Sequence, residues 1–253
     1  MIVNPRPNGW QIIYHRAHAL LAAQIGGQWR RKDASPRFYE TIAAISHHDD
    51  LEREWEEDNL TSCGAPQDFM MATETSYPLL EQHLENSLYR SRWVALLTSV
   101  HLYRLSKNAQ GTSTEADKFL ETQLKLQQQY RKELKTTKSD VEKAYAFMQW
   151  CDRFSLILCQ QQLPADERAL EISKDYDGQV YNVIKYNNNL LTVIPWCFEE
   201  DEFTVNVEAS TLTELKFKDS LSLKQALKQA PRESIEWTFI KDESQSVKQN
   251  KLA

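Results

Sequence analysis

The chain has 253 residues, 41% of them hydrophobic and 26% charged, and its 30 Lys and Arg against 36 Asp and Glu leave a formal charge of −6. Nine Phe, seven Trp and ten Tyr with that apolar fraction exclude intrinsic disorder and suit one globular unit, or one with a small appendage. An acidic balance without a concentrated basic run argues against a nucleic-acid partner, because binding phosphates takes clustered Lys and Arg.

The longest apolar runs, Ala19 to Ala23 and Trp93 to Leu97, fall far short of the ~18 residues a bilayer span requires, so no membrane partner is expected. The first residues carry no basic segment followed by an apolar one, which predicts a cytoplasmic protein. Cys63, Cys151, Cys159 and Cys197 lack any CxxC spacing and are expected as free thiols.

Ile2-Val3 and Gln11-Ile12-Ile13 flank the turn-forming run Pro5 to Gly9, which predicts a short β-hairpin. Helices are expected from there to about residue 163. His18, Leu21, Ala22, Ile25 and Trp29 recur at three-to-four spacing and predict a helix over 15–29, weakened at its end by Gly26-Gly27. A second helix is expected from Pro36, carrying Phe38, Thr41, Ile42, Ile45, His48 and Asp49, and the acidic run over 52–58 reads as a solvated helix face.

Residues 60–78 read as a loop, and Leu80, Leu84, Leu88, Val94, Leu97, His101 and Leu105 then predict one long helix or two abutting ones. Phe119, Leu120, Leu124, Gln127, Tyr130 and Leu134 form a narrow apolar stripe on a charged outer helix, read either as a homodimer contact or as intramolecular packing. The last long helix, 139–162, carries Tyr145, Met148, Asp152, Ser155, Leu156 and Cys159 on one face and stops at Pro164.

Beyond Pro164 the period becomes alternating. Val180 to Ile184 and Leu190 to Ile194, separated by Asn187-Asn188-Asn189, predict a hairpin, since Asn tolerates the left-handed backbone of the turn. Phe203 to Val207 alternates as well, a short helix is expected over 221–230, and 235–240 suits a closing strand.

Four predicted helices each put an ionisable group where periodicity calls for a core residue: His18, the pair His48-Asp49, His101 and Asp152. An unpaired buried carboxylate costs several kcal/mol, so Asp49 and Asp152 must be protonated, paired or bound to a cation. One divalent metal held by imidazoles and carboxylates from successive helices satisfies all these groups at once. The competing reading is a buried His-carboxylate network that holds no metal. Taken alone, His101 is a hydrogen-bonded core residue more often than a ligand. His15 is read as an outer partner of the site or an exposed first-turn residue, His47 as surface, and His83 as too far from His101 to share an ion on an unbroken helix.

The ordered set His, His-Asp, His, Asp resembles the HD-domain superfamily, whose members are mostly all-α metal-dependent phosphohydrolases with a minority of di-iron oxygenases. The segments MIVNPRPNGWQIIYHRAHALLAAQI, AAISHHDDLEREWE, GAPQDF, LLTSVHLYRL, CDRFSLILC and VIPWCF resemble landmarks of a bacterial family catalogued as domain of unknown function 3891, over nearly the whole chain. That resemblance implies His18, His48, Asp49 and Asp152 as metal ligands, with His101 lining the same cavity. Leu51-Glu52 departs from the Gly-Trp pair that follows the His-Asp-Asp run in that family.

The expected fold is therefore mainly α: an HD-domain-like helical bundle over 1–163 that includes the N-terminal hairpin, a β-rich C-terminal subdomain over 164–240, and a disordered tail over 241–253. The leading function is metal-dependent hydrolysis of a small phosphorylated, anionic substrate. Mixed nitrogen and oxygen ligands suit Mn, Fe, Zn, Co or Ni, as one ion or two. Asp50 is the candidate base, and His101 is a candidate proton donor to the substrate or a ligand of a second ion. Arg16, Arg92, Arg104 and Arg153 are candidate anion partners, and Trp10, Trp55 and Trp196 candidate pocket walls. A di-iron oxygenase and a non-catalytic ligand-binding sensor are the alternatives.

Overall fold

The computed structural model describes residues 1–34, 37–51, 54–56, 58–71 and 76–242. Two strands open the chain, β1 (Ile2–Arg6) and β2 (Gly9–Ile13), followed by six helices: α1 (His15–Gly27), α2 (Phe38–His47), α3 (Tyr77–Leu88), α4 (Arg92–Ser106), α5 (Thr114–Leu134) and α6 (Lys138–Cys159). Strands β3 (Leu170–Lys174), β4 (Val180–Lys185), β5 (Leu191–Ile194) and β6 (Glu202–Leu212), helix α7 (Ser220–Gln229) and strand β7 (Arg232–Ile240) complete it. No helix among the described residues is long and apolar enough to cross a membrane.

The expectation of a mainly α, HD-like bundle is overturned. All seven strands form one mixed sheet in the order β1-β2-β6-β7-β5-β4-β3, so this is an α/β fold. Among the described residues, only β5 and β7 pair in parallel. The N-terminal hairpin is as expected in itself, but β2 goes on to pair with β6, from Trp10 opposite Leu212 to Ile12 opposite Ser210. Along β6, Phe203, Val205, Val207 and Ala209 alternate inward while its other edge pairs with β7. The β4–β5 hairpin forms as predicted, with Asn189 at φ 66° in its turn. Strand β3 was not anticipated.

Helices α1 and α6 lie on the sheet, through β6 and β3 respectively, and pack against each other; α2 and α4 pack on them, and α3 and α5 on α4. Gly26 lets α1 come close to its neighbours: a Cβ there would stand 2.9 Å from Ile42 Cδ1 and 3.2 Å from Cys151 Sγ. The apolar stripe of α5 packs within the molecule, burying Phe119, Leu120 and Tyr130, while Leu124 is exposed.

The region expected as one helix or two is two, broken at residues 89–91, where Ser91 Oγ caps α4 by accepting the Val94 N–H at 3.2 Å. The acidic run is not a helical face in its described part: Glu54 is buried in a turn and accepts the His15 backbone N–H at 2.8 Å. Glu52 and Glu57 lie outside the described residues, as do Pro36 and positions 243–253 of the expected tail. The described cysteines are free thiols.

Candidate metal centre

The run His47-His48-Asp49-Asp50 straddles the end of α2. His48 is the helix's last cap residue and the two aspartates follow in a turn, rather than continuing the helix as expected. The turn sends the inner and outer members of the run to different partners. Asp49 Oδ2 accepts from His18 Nε2 at 2.6 Å, lies 3.5 Å from His48 Nε2 and stands 3.8 Å from His15 Nδ1. Asp152, from α6, brings Oδ1 to 3.2 Å from His48 Nε2.

The ligand-capable atoms of His18, His48 and Asp49 all lie within 4.8 Å of one another, and Asp152 approaches from beside His48, outside that set. His101, on α4, packs its ring edge-on against His48 with centroids 5.3 Å apart and pairs through Nδ1 with the Tyr145 hydroxyl at 3.2 Å.

The hydrogen bonds behind the two central imidazoles place a proton on each Nδ1. Ser155 Oγ donates to the Asp152 carbonyl at 2.8 Å, so it accepts from His18 Nδ1–H at 2.9 Å. His48 Nδ1–H donates to the Ile45 carbonyl at 2.6 Å. Both rings therefore present Nε2 to the carboxylates, the arrangement in which outer partners orient metal-binding histidines.

Donors about 2.1 Å from one ion and ~90–110° apart would stand ~3.0–3.4 Å from each other. The His18–Asp49 and His48–Asp49 separations of 2.6 and 3.5 Å bracket that range, while Asp152 meets it only toward His48, at 3.2 Å. His48 Nε2 also suits such a site because it is buried and, although two carboxylate oxygens are near, neither lies in hydrogen-bonding direction. His18, His48 and Asp49 fit a divalent cation with nitrogen and oxygen ligands.

Electrostatics tie the group together. Burial works against charge on His48, but the carboxylates of Asp49 and Asp152 outweigh it and raise the imidazole to about 10. Burial likewise opposes ionisation of Asp49 and Asp152, and in both the positive His48 prevails and holds the carboxyl below its usual range. Burial dominates at the two flanking histidines and lowers His15 to about 3 and His101 to about 4.

The outer members of the run form a second group. Asp50 Oδ2 accepts from His47 Nδ1 at 2.7 Å and from Arg90 at 3.1 Å, while Arg16 donates to the Asp50 carbonyl at 2.6 Å. His47 is buried rather than on the surface and lies against His83, ring centroids 4.4 Å apart. His83 in turn pairs with the His48 carbonyl at 3.1 Å. The break between α3 and α4 is what folds His83 back to this position.

His15 is the site neighbour that sequence reasoning left open; its spacing of three from His18 on one helical face was the available signal. Phe69 covers it edge-on at 4.4 Å. Of the aromatic walls proposed from sequence, Trp55 packs on Tyr14, and Trp196 lines a separate cavity.

The architecture and this cluster define an α/β protein with a His-His-Asp group of metal-ligating residue types, its two histidines buried. The family described as Protein of unknown function (DUF3891) matches residues 1–214, and the chain belongs to that family. No relationship to the HD-domain superfamily is found, and no curated protein or solved structure matches the chain.

Proposed function

We propose that His18, His48, Asp49 and Asp152 form a divalent-metal centre and that the protein is a metal-dependent hydrolase of a small phosphorylated molecule. The observation that carries this reading is the convergence of His18 Nε2 and His48 Nε2 on Asp49 Oδ2, with both Nδ1 atoms committed to protein acceptors. A bound divalent ion would lower the pKa of water and polarise a phosphoryl oxygen. Arg16 and Arg90, half-exposed and held by Asp50, are suited to receive the anionic part of a substrate.

Asp50 is kept ionised chiefly by His47, against the effect of burial, and this suits it to orienting the arginines more than to taking a proton. His101, neutral and hydrogen-bonded to Tyr145, is placed to donate or accept a proton beside His48. The reaction class is tested by elemental analysis of untagged protein purified without chelators, followed by a panel of phosphomonoesters and nucleotides. The reading requires near-stoichiometric metal that Asp49→Ala and Asp152→Ala abolish, together with metal-dependent phosphate release.

A two-ion centre is the second reading, favoured by the presence of four histidines and two aspartates in one neighbourhood once His15 is included. Two irons per chain with oxygen consumption, in place of phosphate release, would select a di-iron oxygenase.

A further inference from the structure

A cavity of about 870 Å³ opens at the other end of α2 from His48, and none of the metal-site residues lines it. Phe38 marks its position at the start of the helix, ten residues or ~15 Å from His48 along the axis. Four of the chain's seven tryptophans line it, Trp29, Trp93, Trp150 and Trp196, together with Phe38 and Phe147. This size and this aromatic density are those of a small-molecule site.

We infer that this cavity binds a flat aromatic anion, an arene or heteroarene bearing a carboxylate or similar group, independently of the proposed metal centre. The aromatic walls supply stacking faces, and one rim lysine supplies the partner for the anionic group. Two lining carboxylates face cations, Asp33 beside Arg30 at 3.5 Å and Asp177 beside Lys143 at 4.0 Å, and the other two have oxygens occupied by neutral donors, Asp175 by the N–H groups of Asp177 and Gln179 and Asp140 by the Thr137 cap.

The wall positions a cationic ligand would take are partly filled as well. Arg37 lies over the Trp93 ring at 5.4 Å and Lys143 over Tyr176 at 5.2 Å. Lys135 is different, an exposed cation on the rim that no carboxylate neutralises among the described residues. Trp93 and Trp196 spend their indole N–H groups on Thr41 Oγ1 and the Glu200 carbonyl. The Trp150 N–H is buried without an acceptor among the described residues and is closed off from the cavity, which leaves Lys135 as the unused group of the rim. An aromatic ring carrying a negative charge answers that cation.

The test is calorimetric titration of the metal-free full-length protein with three probes of one shape: 2-naphthoate, 2-naphthalenemethanol and (2-naphthyl)methylammonium. The inference expects one naphthoate site per chain, at least about tenfold tighter than the ammonium compound. Lys135→Asn suits the left-handed backbone at that position, φ 52°, and should weaken naphthoate about fivefold while leaving the alcohol unchanged. Trp196→Ala, removing a partly exposed wall, should weaken both.

Asp49→Ala should leave naphthoate binding intact, which separates this site from the metal centre. Thermal melts that match the parent exclude misfolding of the variants. Ammonium binding as tight as naphthoate, no effect of Lys135→Asn, loss of binding in Asp49→Ala, or no saturable binding by any probe would each overturn the inference.

Discussion

His18 on α1 and Ser155 on α6 are joined by a 2.9 Å hydrogen bond whose direction is set by Ser155, because its own proton goes to the Asp152 carbonyl. One hydroxyl thus ties two helices together and decides which nitrogen of His18 faces Asp49. Ser155→Ala removes this orientation without removing a ligand. Outer-partner losses of this kind cost about 10- to 100-fold in metal affinity. The variant should bind metal with that weakening at unchanged stoichiometry, measured by competition with a chromophoric chelator; parental affinity would remove Ser155 from the site.

The shifted histidines predict how the stability of metal-free protein depends on pH. For His15, His83 and His101 the folded-state values lie below the ordinary 6.5, chiefly through burial. Their contribution is therefore present above pH 6.5 and lost as pH falls toward 4, by about 1.4 kcal/mol per pH unit for each. His48 has the opposite sign: its folded-state value is raised, so its contribution is present below pH 6.5 and declines as pH rises toward about 10. Urea unfolding should show a maximum near pH 6.5. Metal should abolish the alkaline decline, since a ligating His48 carries no proton at Nε2. Metal-free protein more stable at pH 9 than at 6.5 contradicts this assignment.

Ser91 starts the helix that carries His101, and it does so where the chain turns back to put His83 against His47. Ser91→Ala leaves the Val94 N–H without its cap and should cost about 1 kcal/mol of stability in denaturant unfolding. Ser91→Asp, which can cap in the same way, should recover most of that loss. Equal destabilisation by both would show that the side chain acts through something other than its cap.

The helices were legible in the sequence because each buries a stripe whose period is local: Leu21, Ala22 and Ile25 need no knowledge of their partners to mark an inward face. The sheet was not, because the pairing that unites its N-terminal and C-terminal strands joins Trp10 and Leu212, about two hundred residues apart, and alternation along a strand does not say which strand lies beside it. Sequence reasoning accordingly saw a hairpin at one end and a small β region at the other, where the chain builds one sheet from both.

The site divided along the same line. Inward placement of His18, His48 and His101 followed from spacing, whereas the fate of His47 and Asp50 depended on α2 ending at His47, and that of His83 on the break before Ser91. Those are terminations, which periodicity locates less well than faces.

Asp50 gives the clearest separation between holding a metal and holding a substrate. Its carboxylate meets His47 and Arg90, and its backbone carbonyl meets Arg16, while the proposed ligands lie on the other side of the turn. Asp50→Asn removes the charge that keeps Arg90 in place but keeps a side chain of the same size and an oxygen that can accept from His47. Metal content should therefore stay at the parental level. If the arginines receive the anionic group of the substrate, KM should rise several-fold while kcat changes little, since the lost interaction positions bound substrate without touching the reacting atoms. A fall in kcat of about 100-fold or more at unchanged KM would instead make Asp50 the proton acceptor, and loss of metal would move it into the ligand set.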